Sequence, residues 1–118
     1  MANAKTLTIF NQLPGNSLLF IVTSDNWNCC DAPLPQQIYG GVDYNKTLDI
    51  PYLRKDGHGC NGRQGQFTLN VYANSVLIGA QAFDFDSDGG IELSAAPSGF
   101  RSSITGTDAG ANYFVLPA

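Results

Sequence analysis

Charge is scarce in this chain. Only 14% of its 118 residues are charged, against about 25% in an ordinary soluble domain. Glu occurs once, as Glu92, and Lys three times. Those residues coat the solvent faces of helices, so their scarcity argues against a helical architecture. The charge that is present is mostly acidic, with a net value of −4 and an isoelectric point near 4.5. A surface of that sign repels phosphate, which argues against nucleic acid as a partner. It argues equally against anionic membranes, which recruit polybasic segments. A neutral or zwitterionic membrane stays open.

Long hydrophobic runs are also missing. No stretch of about 18 apolar residues exists, so no transmembrane segment is expected. The start of the chain, MANAKTLTIF, lacks a basic region followed by an apolar one. The expectation is therefore no signal peptide, with a cytoplasmic location or non-classical secretion.

The vocabulary of catalysis is thin. The single histidine, His58, lies in a glycine loop beside Cys60, too close in sequence for a nucleophile and its base. No glycine loop leads into a helix to cradle phosphate, and nothing selects a carboxylate pair for glycoside hydrolysis. No enzyme is expected. Three cysteines without CxxC spacing, plus one histidine, do not make a zinc site. An odd cysteine count without a signal peptide points to thiols at Cys29, Cys30 and Cys60. A bridge from Cys60 to Cys29 or Cys30, or a vicinal Cys29–Cys30 bridge, is the alternative.

Gly, Asn, Ser, Thr and aromatic residues fill the chain instead, which suits strands joined by tight turns. Residues 6–10 alternate, with Leu7 and Ile9 on one face and Phe10 on the other. Residues 17–23 form an apolar run that reads as a buried strand, and the two segments are expected to pair as a hairpin. Residues 24–46 look irregular and exceed normal loop length, which points either to a functional segment or to a short strand near 37–42. Residues 47–52 put Leu48, Ile50 and Tyr52 on one face, and Pro51 assigns that strand to an edge. The clearest strand spans 66–73, with Phe67, Leu69, Val71 and Ala73 facing in. Asn74-Ser75 is the following turn. The strand over 76–86 changes parity, which predicts a bulge near Gly79 or Gln81. Three further strands are expected over 91–94, 100–105 and 112–116. No pattern of period 3.6 occurs, and the spacing predicts one all-β domain over residues 1–118, a β-sandwich of short antiparallel strands.

Two groups of residues carry possible function. Asp84, Asp86 and Asp88, followed by Gly89, match the first half of a calcium loop. The match fails at the twelfth position, where Ala95 replaces a bidentate Glu. The aspartates equally suit a turn that satisfies its own backbone and keeps a sheet edge soluble. Cofactors are therefore expected to be none, with calcium at these aspartates as the one candidate. The second group is aromatic. Trp27 sits among polar neighbours, and Tyr39, Tyr44, Tyr52 and Tyr72 supply further amphipathic rings. Such rings favour a bilayer headgroup region or a sugar face.

The order of several features carries a resemblance. An alternating strand over 6–10, Asn11, a second strand over 17–23 and Trp27 come first. Cys60, Gly62-Arg63 and Gly65-Gln66-Phe67 follow, then Phe83, Phe85 and Asp86. Ile104-Thr105-Gly106 and Tyr113-Phe114-Val115 close the chain. Together they resemble the aegerolysin family, including its bacterial insecticidal relatives. Phe10 stands where that family carries a histidine, and the family's tryptophans around 83–88 are absent here. The resemblance implies a small β-sandwich that binds membrane lipid, often sphingolipid, and that acts with a larger pore-forming partner protein. It marks Trp27 as a lipid contact, with Phe10 and Phe85 beside it; Tyr39 joins them as an amphipathic ring. A carbohydrate-binding or calcium-binding β-sandwich module is the alternative.

Overall fold

A computed structural model describes residues 4–24, 28–55, 60, 63–86 and 88–118. They form ten strands: β1 (Lys5–Asn11), β2 (Leu18–Val22), β3 (Cys30–Ala32), β4 (Ile38–Val42), β5 (Thr47–Arg54), β6 (Gly65–Ala73), β7 (Val76–Phe85), β8 (Ile91–Leu93), β9 (Arg101–Thr107) and β10 (Gly110–Leu116). No helix occurs among the described residues. The strands make two five-stranded sheets. We call β3-β5-β1-β10-β9 the first sheet and β4-β2-β6-β7-β8 the second. The fold is an all-β sandwich.

Alternation builds the core. Along β6, Phe67, Leu69 and Val71 are fully buried, while Gln66, Thr68 and Asn70 between them are partly exposed. Leu7, Ile9, Ile50, Tyr113 and Val115 meet them from the first sheet. Burial of each such side chain is worth about 1.5–3 kcal/mol. At one end of the core, aromatic rings from both sheets interlock. Phe67 stacks on Phe83 at 5.0 Å, Phe83 meets Tyr113 edge-on at 5.0 Å, and Phe85 meets Tyr52 edge-on at 5.2 Å.

Three expectations about pairing are corrected. β1 and β2 do not form a hairpin; they lie in different sheets. Asn11 explains why. Its fully buried amide donates to the carbonyls of Asn16 at 2.7 Å and Val42 at 2.9 Å, and its Oδ1 accepts from Leu13 N–H at 2.9 Å. One side chain thus satisfies the backbone of a corner that carries the chain between sheets. Second, the strands are not all antiparallel, because β1 pairs with β10 in parallel, from Thr6 opposite Gly110 to Asn11 opposite Val115. Third, β5 is not a free edge. β3 pairs with Leu53 and Arg54 only, so Pro51 still faces away from a ladder on that side.

Other expectations hold. Ile38–Val42 is the short strand inside the long irregular segment. Asn74 and Ser75, with φ of 48° and 71°, make the tight turn between β6 and β7. The register between those strands shifts after Val71, opposite Gly79, leaving Ile78 as the extra residue of a bulge.

The cysteines are corrected in part. Cys29 and Cys60 form a disulfide, with Cα atoms 5.6 Å apart. Cys30 alone keeps its thiol, buried at the start of β3, where Sγ donates to the carbonyl of Ala32 at 3.0 Å. Cys29 precedes β3 with a positive φ of 48°, and it is the member of the vicinal pair that reaches Cys60. The Arg54 guanidinium donates to the Cys60 carbonyl and, at 3.3 Å, to that of Arg63, which ties these two residues to β5.

Candidate functional site

The outer face of the second sheet is apolar at one end and polar at the other. β2 is the source of the apolar end. Its sequence LLFIV buries Leu18, Phe20 and Val22 completely, so Leu19 and Ile21 must point outward. Register then decides their neighbours. Ile21 lies opposite Ile38 of β4, Leu19 opposite Tyr72 of β6, and Tyr72 opposite Leu77 of β7. Five large side chains from four strands therefore share one surface. Ile38 is 62% exposed and Leu77 54% exposed, and with their half-buried neighbours they make a contiguous apolar patch of the kind that marks interaction sites.

Gly40 and Gly41 open a groove beside this row. A Cβ on Gly40 would meet the Cα of Leu19 at 3.0 Å, so only glycine lets β4 lie this close. The groove has a volume of about 380 Å³ and is lined by Leu19, Ile21, Gly41, Tyr72 and the rim residues Ser17 and Asn74. Among the described residues no charged residue lines it. Asn74 fixes the rim by accepting from Ser17 N–H at 2.9 Å and donating to Asn16 Oδ1 at 3.2 Å. Further along the same face, Gln66 and Asp84 replace apolar residues, with Glu92 opposite Asp84.

Of the described residues singled out from sequence, Tyr72 belongs to the apolar end of this face and the others do not. Phe10 lies opposite Leu7 and Ile9 as expected, on the outer face of the first sheet, stacked on Phe114 at 4.6 Å. Tyr39 lies opposite the buried Phe20 and packs against the core, and burial raises its phenol above the usual value. Phe85 is corrected: it is 1% exposed, packed between Tyr52 and Phe67, and unavailable to a lipid. Its parity within β7 matches that of Phe83, so both rings point inward. Trp27 lies outside the described residues, as does His58.

The aspartates do not converge on a cation. Asp84 Oδ1 accepts from Gln66 Nε2 at 3.0 Å, and Asp86 Oδ1 from Gln64 Nε2 at 3.0 Å. Asp88 Oδ1 accepts from Gly90 N–H at 3.1 Å, inside its own turn. Each carboxylate thus has a separate neutral partner. Among the described residues no three His, Cys, Asp or Glu side chains are grouped to hold a metal. These bonds fit the structural-turn reading of the three aspartates.

Compared with models of known protein families, with curated proteins and with solved structures, the chain matches none.

Sequence reasoning missed the face formed by Leu19, Ile21, Ile38, Tyr72 and Leu77. The signal was present in the uninterrupted LLFIV run, which was read as burial on both sides. An outer sandwich sheet has only one covered side, so half of that run had to be exposed.

Proposed function

We propose that this protein is a non-enzymatic membrane-lipid-binding module that docks the apolar end of its second sheet on a neutral bilayer. The carrying observation is the outward-facing apolar set of Ile38, Ile21, Leu19, Tyr72 and Leu77, in which Ile38 and Leu77 are exposed and the other three half-buried. Apolar side chains gain by entering the interface, and Tyr72 suits the headgroup level. The uncharged groove and the net charge of −4 favour zwitterionic over anionic lipid. The polar opposite end of the face would stay in water, giving a fixed orientation. The resemblance to aegerolysins supports the same reading and suggests sphingolipid selectivity. It also suggests a larger pore-forming partner as one component of a toxin system.

Co-sedimentation with phosphatidylcholine–sphingomyelin–cholesterol vesicles tests this. Ile38→Asp and Leu77→Asp each change an exposed residue, so stability should move by no more than about 0.5 kcal/mol. Each should lower the bound fraction about tenfold, the cost of about 1.4 kcal/mol of lost apolar transfer. Absent binding by the unmodified protein, or binding indifferent to both changes, would overturn the proposal.

A carbohydrate-binding reading is favoured by one observation, the Phe10–Phe114 stack on the outer face of the first sheet. Thr8 lies beside it, its hydroxyl donating to Asp49 at 2.9 Å. A glycan-array signal lost in Phe114→Ala, without vesicle binding, would put this reading first.

A further inference from the structure

A second cleft lies far from the β4 edge, where the segment 94–100 passes between β8 and β9. Small residues create it. Ser94, Ala95 and Ala96 leave about 710 Å³ open between Leu93 on one side and Arg101 and Leu116 on the other. That volume is in the range of a small-ligand site.

The walls are fixed from behind. Gln81 is fully buried in β7, and its amide donates to the carbonyls of Ala95 at 2.5 Å and Ala82 at 2.9 Å. Ser94 N–H also bonds to Ala82, at 3.0 Å. Gly99 lies against Ile78, the bulge residue, where a Cβ would overlap the Ile78 carbonyl. Phe100, 2% exposed, anchors the far end of the segment in the core. Loop residues held in this way form a preformed cleft.

Its chemistry is asymmetric. Leu93, Ala95, Ala96, Pro97 and Leu116 supply apolar wall, and among the described residues Arg101 is the only charged one lining it. Arg101 Nε donates to the Pro117 carbonyl at 3.0 Å, which orients the guanidinium. Its two terminal nitrogens carry no bond to any described residue, and they form the fork that recognises carboxylate or phosphate. Among the described residues no carboxylate lines the cleft to receive an ammonium group. Its one aromatic lining residue, Phe100, is too buried to offer a ring face to a sugar.

We propose that this cleft binds a single-chain amphiphile with an anionic head, such as a fatty carboxylate or alkyl phosphate. The chain lies along Leu93, Ala96, Pro97 and Leu116, and the head sits on Arg101. The site is separate from the membrane-docking face and stands or falls independently of it.

Titration calorimetry with decyl phosphate below its micelle concentration, and with inorganic phosphate as the head alone, tests the site. Decyl phosphate should bind with one-to-one stoichiometry, at least about 100-fold tighter than inorganic phosphate. Arg101→Gln should weaken it about tenfold or more, because the paired charge-assisted bonds are lost. Ala96→Trp fills the cleft from an exposed position and should abolish binding while leaving thermal unfolding unchanged. Neither variant should alter sedimentation with neutral vesicles, which separates this site from the docking face. Absence of decyl phosphate binding, equal affinity for inorganic phosphate, or indifference to both substitutions would overturn the proposal.

Discussion

The hydroxyl of Tyr52 donates to the carbonyl of Gly89 at 2.6 Å, joining β5 of one sheet to the turn that follows β7 of the other. This bond gives the acidic turn a structural task. Burial first, and the Asp88 carboxylate second, push the Tyr52 phenol up to about 12. Tyr113 is raised as well, by burial, against a smaller opposing effect of its bond to Ser102.

These shifts predict an alkaline weakness. A raised phenol stays neutral in the folded protein while the unfolded chain begins to ionise near pH 10. The stability they carry is fully present below pH 10 and is lost as pH climbs towards 12. The Tyr52 share amounts to about 2 kcal/mol. Tyr52→Phe should cost about 1 kcal/mol at neutral pH through the lost bond, yet decline less steeply above pH 10. Melting temperatures recorded from pH 8 to 11.5 check this, and parallel curves for the two proteins would contradict it.

The Cys29–Cys60 bridge, spanning 31 positions, should contribute about 3–4 kcal/mol by restricting the unfolded chain. A reductant should therefore lower the midpoint of urea unfolding. Alkylation under denaturing, non-reducing conditions should label one cysteine, Cys30, and full reduction should expose three. Labelling of all three before reduction would exclude the bridge.

Calcium should have no stabilising effect. A ligand that binds only the folded state at 100 times its dissociation constant adds about 2.7 kcal/mol. With Asp84, Asp86 and Asp88 bonded to separate neutral partners, millimolar calcium should leave the melting temperature unchanged relative to chelator. A concentration-dependent rise would reveal a site the carboxylates reach by moving.

Local pattern made much of the sandwich legible, and distance hid the rest. The inward set Phe67, Leu69, Val71 and Ala73 follows from alternation alone, and Asn74-Ser75 from turn chemistry. The irregular apolar pattern over 76–86 pointed to a bulge near Gly79; the extra residue is Ile78, and Gln81, Phe83 and Phe85 keep one parity beyond it. Sheet membership was not legible. Nothing near residues 6–10 says that their neighbours are 47–52 and 110–115, because pairing partners are chosen by the whole topology. Asn11 looked like a turn residue, and only its buried bonds to Asn16 and Val42 reveal a corner between sheets. The candidate face was hidden for a similar reason. Leu19 and Ile21 are indistinguishable by type from Leu18 and Phe20, and only the sheet's position leaves them uncovered.

The parallel pairing of β1 with β10 has a consequence during synthesis. β10 sits inside its sheet, between β1 and β9, yet it emerges from the ribosome about 100 residues after its neighbour. Until then β1 has one open ladder, and the apolar underside of the sheet lacks Tyr113 and Val115. The nascent chain cannot finish its core stepwise; it must hold an unfinished edge until the last strand arrives. Any deletion reaching Tyr113 should therefore leave the core unfinished and the chain unfolded.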